Sequence, residues 1–191
     1  MSWCSAALLV SLVAVAIYPC SGQPSVPAQE ILAKITNNEP VYYDGVQISG
    51  HLDLSSLPEA RVSESLALVN CTVPNATFDG ITFAQDAIFW GTAFNNSSFE
   101  KATFLGRSDF SNATFDQADF SGCTFSQPAF FNGAIFKDNA SFEDAAFGLD
   151  AFFNAARFGG SSCFNYSHFD SYSYFAAAQF SRDALFSDME F

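Results

Sequence analysis

The sequence is poor in positive charge and in charged residues overall. Only 7 of its 191 residues are Lys or Arg, against 20 Asp or Glu, so the formal net charge is −13. A chain this acidic offers no basic surface for a phosphate backbone, and we expect no direct nucleic-acid binding. Hydrophobic residues make up 49% and aromatic residues 17% of the chain, which excludes an intrinsically disordered protein.

Familiar catalytic motifs are also missing. The two histidines, His51 and His168, stand far apart, and no HExxH, CxxC, GxSxG or glycine-rich phosphate loop occurs. We therefore expect no catalytic residue, no cofactor and no metal site, and we interpret the protein as non-enzymatic. After the first 22 residues three cysteines remain, Cys71, Cys123 and Cys163, and an odd number does not make a disulfide framework.

The N-terminal segment is typical of a targeting signal. Ala6 to Ile17 is an apolar run, too short for the ~20 residues that span a bilayer as a helix. It fits the apolar core of a secretory signal peptide over residues 1–22, with cleavage before Gln23. This predicts a secreted or cell-surface protein. The alternatives are an uncleaved segment that anchors the protein in a membrane and a buried helix.

Phenylalanine dominates the rest of the chain. All 24 Phe residues lie from position 78 onward, and all but Phe130 and Phe152 follow one another at steps of five or six. Their positions are 78, 83, 89, 94, 99, 104, 110, 115, 120, 125, 131, 136, 142, 147, 153, 158, 164, 169, 175, 180, 186 and 191. A small residue stands two positions before nearly every one. Such a short fixed period indicates a solenoid, and a five-residue step would scatter the rings around an α-helix.

The spacing also predicts the number of sides in each coil. Six-residue steps begin at residues 83, 104, 125, 147 and 169, and the interval between them is 21 or 22 residues. Between the first three, three five-residue steps intervene. If each step is one side, the extra residue returns to the same corner on every fourth side. A three-sided coil would scatter these insertions, so four sides are predicted.

These units resemble the pentapeptide-repeat family, whose units read roughly Ala-(Asp/Asn)-(Leu/Phe)-x-x. Ala76-Thr77-Phe78-Asp79-Gly80 and Ala118-Asp119-Phe120-Ser121-Gly122 are examples. The resemblance implies an all-β, right-handed quadrilateral β-helix, with the repeats over residues 66–191. The sequence departs from the family pattern in its exclusive use of Phe at the central position and in its six-residue units.

Residues 23–65 are predicted to cap the first coil. Residues 27–36 are expected to form a short helix, with Pro27 at its start and Glu30 spaced four residues from Lys34. This helix would cover the open edge of the first coil. Residues 46–48 and 52–54 alternate as strands do, and residues 58–65 are expected to be a loop. At the other end we expect an uncapped coil through which two copies could associate.

Seven Asn-x-Ser/Thr sequons occur in or near the repeats. Their asparagines are Asn70, Asn75, Asn95, Asn96, Asn112, Asn139 and Asn165. All seven fall on outward or corner positions of the predicted coil, where a glycan can be carried. In the same register Cys71 and Cys123 point inward and lie too far apart for a disulfide, whereas Cys163 points outward.

The sequence therefore favours a non-enzymatic, exported β-helical module that binds a protein or a surface polymer. An alternative follows from the resemblance, since some pentapeptide-repeat proteins are acidic DNA mimics that bind a type II topoisomerase. The net charge fits this alternative, but the signal peptide does not. A hydrolase on a β-helical scaffold, as in pectin-degrading enzymes, is disfavoured because narrow coils filled with Phe leave no internal cleft for paired carboxylates.

Overall fold

The chain winds into a β-solenoid in which every strand pairing is parallel. This is seen in a computed structural model, which describes residues 22–190; nearly all of the predicted signal peptide (residues 1–21) and the last ladder residue, Phe191, lie outside the described residues. Strands of successive coils stack into three hydrogen-bonded sheets of 13, 6 and 7 strands. The largest sheet covers two sides, so each coil has four walls. The predicted four-sided winding is confirmed.

The walls are numbered in the order in which the chain visits them. Wall 1 contains Leu52–Asp53, Ala118–Asp119, Ala140–Ser141, Ser162–Cys163 and Ala184–Leu185. Wall 2 contains Arg61–Val62, Thr82–Phe83, Thr103–Phe104, Thr124–Phe125, Ala146–Phe147 and His168–Phe169. Wall 3 contains Val41–Asp44, Leu66–Val69, Ala87–Ile88, Ser108–Asp109, Ala129–Phe130, Ala151–Phe152 and Ser173–Tyr174. Wall 4 contains Ser25–Pro27, Gln47–Ser49, Thr114–Phe115, Ile135–Phe136, Arg157–Phe158 and Gln179–Phe180. Two longer strands, Thr72–Thr77 and Ala93–Ser98, run through walls 4 and 1 and join them into one sheet.

Two opposite corners of each coil are tight turns. After walls 1 and 3, the N–H three residues beyond the Phe donates to the Phe carbonyl, as from Ala102 to Phe99 at 2.9 Å. The residue before that donor has a positive φ, for example Lys101 at 58° and Asn112 at 57°. These corners always take five-residue steps because the turn fixes their length. The six-residue steps fall on the other two corners, after wall 2 throughout and after wall 4 from Phe136 onward.

The extra residue brings neighbouring coils close together at some of these looser corners. Gly160 is buried there, and a Cβ on it would lie 2.4 Å from the carbonyl carbon of Asp138 in the coil before. Glycine is therefore required at that corner by backbone contact.

The interior is filled by four columns of phenylalanine rings, one per wall. In the wall 1 column, ring centroids are 4.6 Å apart for Phe78 and Phe99, 4.9 Å for Phe99 and Phe120, and 5.1 Å for Phe120 and Phe142. Rings of adjacent columns meet edge to face, as Phe110 and Phe120 do at 5.2 Å and 79°. Both arrangements are favourable for aromatic pairs. From Phe78 to Phe169 the column rings are at most 1% exposed, which confirms the inward orientation of the ladder.

The predicted N-terminal cap is present. Its helix spans Ala28–Thr36 and buries Ala28, Ile31 and Ile35 in the same core as the rings. The expected pairing of Glu30 with Lys34 does not form. Tyr43 instead donates a hydrogen bond to Glu30 at 2.5 Å, and Lys34 lies 5.0 Å from the centre of the Tyr43 ring. Burial and the Glu30 carboxylate raise the pKa of Tyr43 to about 12.

The stack of coils begins earlier than residue 66, where the sequence placed it. Val41–Asp44 pairs in register with Leu66–Val69, and Arg61–Val62 pairs with Thr82–Phe83. The expected loop over residues 58–65 is therefore wrong at Arg61–Val62. The sequence signal was weak because Val41 and Val62, both 2% exposed, fill the positions that Phe occupies in later coils. A 3₁₀ helix, Leu54–Ser56, follows the first wall 1 strand.

Three buried serines interrupt the small residues that stand two positions before each ring. Ser97, Ser108 and Ser162 place their hydroxyl oxygens out of reach of any hydrogen-bond partner among residues 22–190. Ser108 is fully buried and lies between Ala87 and Ala129 on wall 3. A buried hydroxyl without a partner costs free energy, and alanine already fills the equivalent site in the coils on either side.

Replacing Ser108 with alanine should therefore stabilise the protein. We expect Ser108→Ala to raise the free energy of unfolding by about 1 kcal/mol, measured by urea denaturation. Ser126→Ala is the matched control, since Ser126 is half-buried at an outer corner and its loss should change little. A destabilised Ser108→Ala variant would contradict the assignment of an unpaired hydroxyl.

Candidate binding trough

An open trough of about 810 Å³ runs along the outer surface of wall 1. Its floor consists of small residues in five successive coils: Ala76, Ser97, Ala118, Ala140 and Ser162. One edge, the amide rail, consists of Asn75, Asn96, Gln117, Asn139 and, at its end, Ser161. The other edge, the hydroxyl rail, consists of Thr77, Ser98, Asp119, Ser141 and Cys163. His51 and Leu185 close the two ends.

The strand register places each rail residue above its counterpart in the coil before. Ser97 pairs with Ala118, and Ser98 with Asp119, so residues of one type form a column parallel to the solenoid axis. Because side chains alternate along a strand, the residues on either side of each floor position both face outward. The trough is therefore a direct result of the repeat and of polar residues at its outward positions.

Hydrogen bonds between coils hold the rails in place. Asn96 Nδ2 donates to Asn75 Oδ1 at 3.1 Å, and the Ser161 N–H donates to Asn139 Oδ1 at 3.0 Å. At the N-terminal end, His51 Nε2 lies 2.9 Å from Thr77 Oγ1. Gln117, in the middle of the amide rail, makes no hydrogen bond to any residue that the structure describes. Its amide is left for a ligand.

The trough is nearly uncharged in a strongly acidic protein. No Lys or Arg lines it, and Asp119 is its single carboxylate. One oxygen of Asp119 already accepts a hydrogen bond from the Ser121 N–H at 2.9 Å. Amides and hydroxyls both donate and accept hydrogen bonds, so the surface suits a neutral ligand rich in polar groups. Sequence reasoning did not identify this site, although the recurrence of Asn75, Asn96, Gln117 and Asn139 every 21 or 22 residues was a usable signal.

The seven sequon asparagines all lie at the surface. Six are exposed and Asn165 is half-buried. Asn75, Asn96 and Asn139 belong to the amide rail, so a glycan on any of them would occupy the trough. Asn165 Oδ1 accepts the N–H of Ser187 in the next coil at 2.9 Å, an arrangement that leaves its Nδ2 available for a glycan. Glycosylation at these seven sites stays a prediction.

The cysteines lie where the register predicts. Cys71 and Cys123 are buried free thiols, and burial raises the pKa of both. Cys163 is half-buried on the hydroxyl rail. Across residues 22–190 no three His, Cys, Asp or Glu side chains come together as metal ligands would. The single α-helix of this region is also too short and too polar to cross a membrane.

A second column of aromatic rings lies outside the solenoid, on wall 3. Phe130 stacks on Phe152 at 4.9 Å, and Phe152 stacks on Tyr174 at 4.8 Å. The Arg107 guanidinium covers the other side of Phe130 at 4.6 Å. Phe130 and Phe152 are the two Phe residues that do not fit the inward spacing. The sequence contained this signal, but it was not interpreted.

His168 joins the last two described coils on wall 2. Its Nε2 lies 2.5 Å from Asp170 Oδ1, and its Nδ1 lies 3.1 Å from Glu190 Oε2. Only the protonated imidazole can donate from both nitrogens at once. The hydrogen bond to Asp170 raises the pKa of His168 above its usual value, and the charges of Asp170 and Glu190 add to that effect.

The His168 contact should make the last coil pH-dependent. A raised pKa in the folded state stabilises the protein below pH ~6.5, and this stabilisation is lost as the pH rises through the folded-state pKa. We expect the melting temperature of the parent to exceed that of His168→Gln at pH 5.5, by a margin that shrinks at high pH. Asp170→Asn should move this transition to lower pH. A margin that is constant with pH would show that protonated His168 does not hold the coil.

Comparison with known proteins agrees with the repeat seen in the coils. The family model for pentapeptide repeats matches residues 91–122 and 110–157, with nine copies of the repeat. A search of curated proteins gave no match. The matched residues lie in the middle of the four-walled stack, and the predicted recognition is confirmed. The repeat region of this chain belongs to the pentapeptide-repeat family.

Proposed function

We propose that the protein is a non-enzymatic interaction module that binds an extended partner along wall 1. The observation that carries this proposal is the trough, which crosses five successive coils and is lined almost wholly by amides, hydroxyls and small residues. The interior offers no comparable surface because Phe rings fill it. A long, shallow, polar surface suits a chain-like partner more than a small substrate, which proteins usually enclose in a deep and largely apolar pocket.

We also propose that the protein is exported and works at the cell surface or outside the cell. The apolar segment of residues 6–17 supports export, and the seven surface sequons are consistent with it. An uncleaved segment that anchors the protein in a membrane is the alternative location. A second copy is a further candidate partner, because Leu185 and Phe186 in the last described coil are 48% and 44% exposed.

The alternative function is that of an acidic DNA mimic that binds a type II topoisomerase. The net charge of −13 supports it. However, mimicry of DNA requires a dense line of negative charge, and the longest polar surface of this solenoid carries one carboxylate, Asp119. The two functions also differ in compartment, since a DNA mimic acts inside the cell.

A pair of tryptophan substitutions in one coil tests whether the trough is the binding surface. Ser98→Trp would place a bulky ring in the hydroxyl rail, and Thr103→Trp would place the same ring at an outward strand position on wall 2. We expect Ser98→Trp to lose at least tenfold in retention on envelope material of the native host, and Thr103→Trp to retain the parent value. Retention is measured by co-sedimentation, and melting temperatures establish that both variants fold.

Two outcomes would contradict the proposal. If the parent does not sediment with envelope material, the interaction role there is wrong. If both variants sediment like the parent, the trough is not the surface that binds. Intact mass of the protein from its host should show loss of residues 1–22, and an intact N-terminus on cytosolic protein that binds topoisomerase would favour the DNA-mimic alternative.

A further inference from the structure

We propose that the partner in the trough is a linear, neutral glycan of β-1,4-linked hexoses, bound with one sugar per coil. This inference rests on the proposed function and names the chemical class of its ligand. Three properties of the trough support it: its repeat distance, its hydrogen-bonding groups and its lack of charge.

The repeat distance of the trough matches a glycan better than a peptide. Rings beneath the trough follow one another at 4.9 Å for Phe99 and Phe120, 5.1 Å for Phe120 and Phe142, and 4.9 Å for Phe142 and Phe164. A pyranose joined through equatorial bonds advances its chain by close to this distance. Side chains on one face of an extended peptide recur every ~6.6 Å, so a peptide would lose register within a few coils.

The rails present what sugar hydroxyls need. A sugar hydroxyl both donates and accepts, and the amides of Asn96 and Gln117 and the hydroxyls of Ser98 and Ser141 do the same. The floor between the rails is formed by alanine and serine, so a flat sugar ring can approach the strand backbone closely. Because each coil repeats these groups, every added sugar gains a similar set of hydrogen bonds.

Charge excludes the other common polymers. A nucleic acid or an acidic polysaccharide would find no Lys or Arg in the trough and would be repelled by a protein of net charge −13. A basic polymer would find a single carboxylate, Asp119. The rails are also held by bonds such as Asn96 to Asn75 at 3.1 Å, so binding would order few side chains.

Calorimetry with oligosaccharides of increasing length tests this proposal. The probes are cello-oligosaccharides and chitin oligosaccharides of two to eight sugars, and the protein is the full chain from a host without N-glycosylation, which keeps the amide rail free. We expect the affinity to rise with each sugar and to level off at five or six, because five successive coils line the trough. Maltohexaose, an α-linked chain that curves, should bind at least tenfold more weakly.

Variants of the rails show where the sugar lies. Gln117→Ala and Ser141→Ala should each weaken hexasaccharide binding about fivefold, the loss expected for one hydrogen bond. Gln127→Ala and Ser126→Ala remove the same groups at another corner and should leave the affinity unchanged. Ser98→Trp should abolish binding.

The outcomes separate this inference from the function on which it rests. Absence of binding by every β-1,4-linked probe, an affinity independent of length, or equal losses in the rail and control variants would each overturn the glycan proposal. If envelope retention still depends on Ser98 while no oligosaccharide binds, the module is correct and the ligand class is wrong. If retention also fails, both are wrong.

Discussion

The stacking of phenylalanine rings from coil to coil is the interaction on which the structure depends. Most strands contain only two residues, too few to hold a sheet by their own hydrogen bonds. The rings beneath them supply the missing stability, because each is buried, stacks on its column neighbours and meets the next column edge to face. A repeat unit of this kind cannot bury its apolar side chain alone, so the coils are stable only as a stack.

The same stacking determines what the outside can do. Since ring contact fixes the coil spacing near 5 Å, every outward position becomes a column with that period. On wall 1 these columns carry amides and hydroxyls and form the trough, whereas on wall 3 they carry Phe130, Phe152 and Tyr174. The solid interior moves any binding to the outer walls, where substitutions such as Ser for Thr or Asn for Gln leave the core untouched. Function can therefore vary along a wall without a cost in stability.

The sequence predicted the interior more fully than the surface. Phe spacing alone indicates four walls and the inward rings, because that pattern has a strict physical cause. Val41 and Val62 were missed as members of the stack because the first coil uses aliphatic residues in place of Phe. The trough was missed because polar outward residues look alike in sequence, and only the register shows that Asn96, Gln117 and Asn139 share an edge. Phe130 and Phe152 needed the same register to be recognised as an external column.

The most direct test of this account compares one substitution at two neighbouring phenylalanines. Phe120 lies fully buried in the wall 1 column, and Phe130 lies half-buried on the outside of wall 3. Urea denaturation followed by circular dichroism should show that Phe120→Ala lowers the free energy of unfolding by about 3–5 kcal/mol. The loss for Phe130→Ala should be near 1 kcal/mol, the value of an exposed aromatic contact. Equal losses at the two positions would contradict the claim that the inward columns hold the solenoid together.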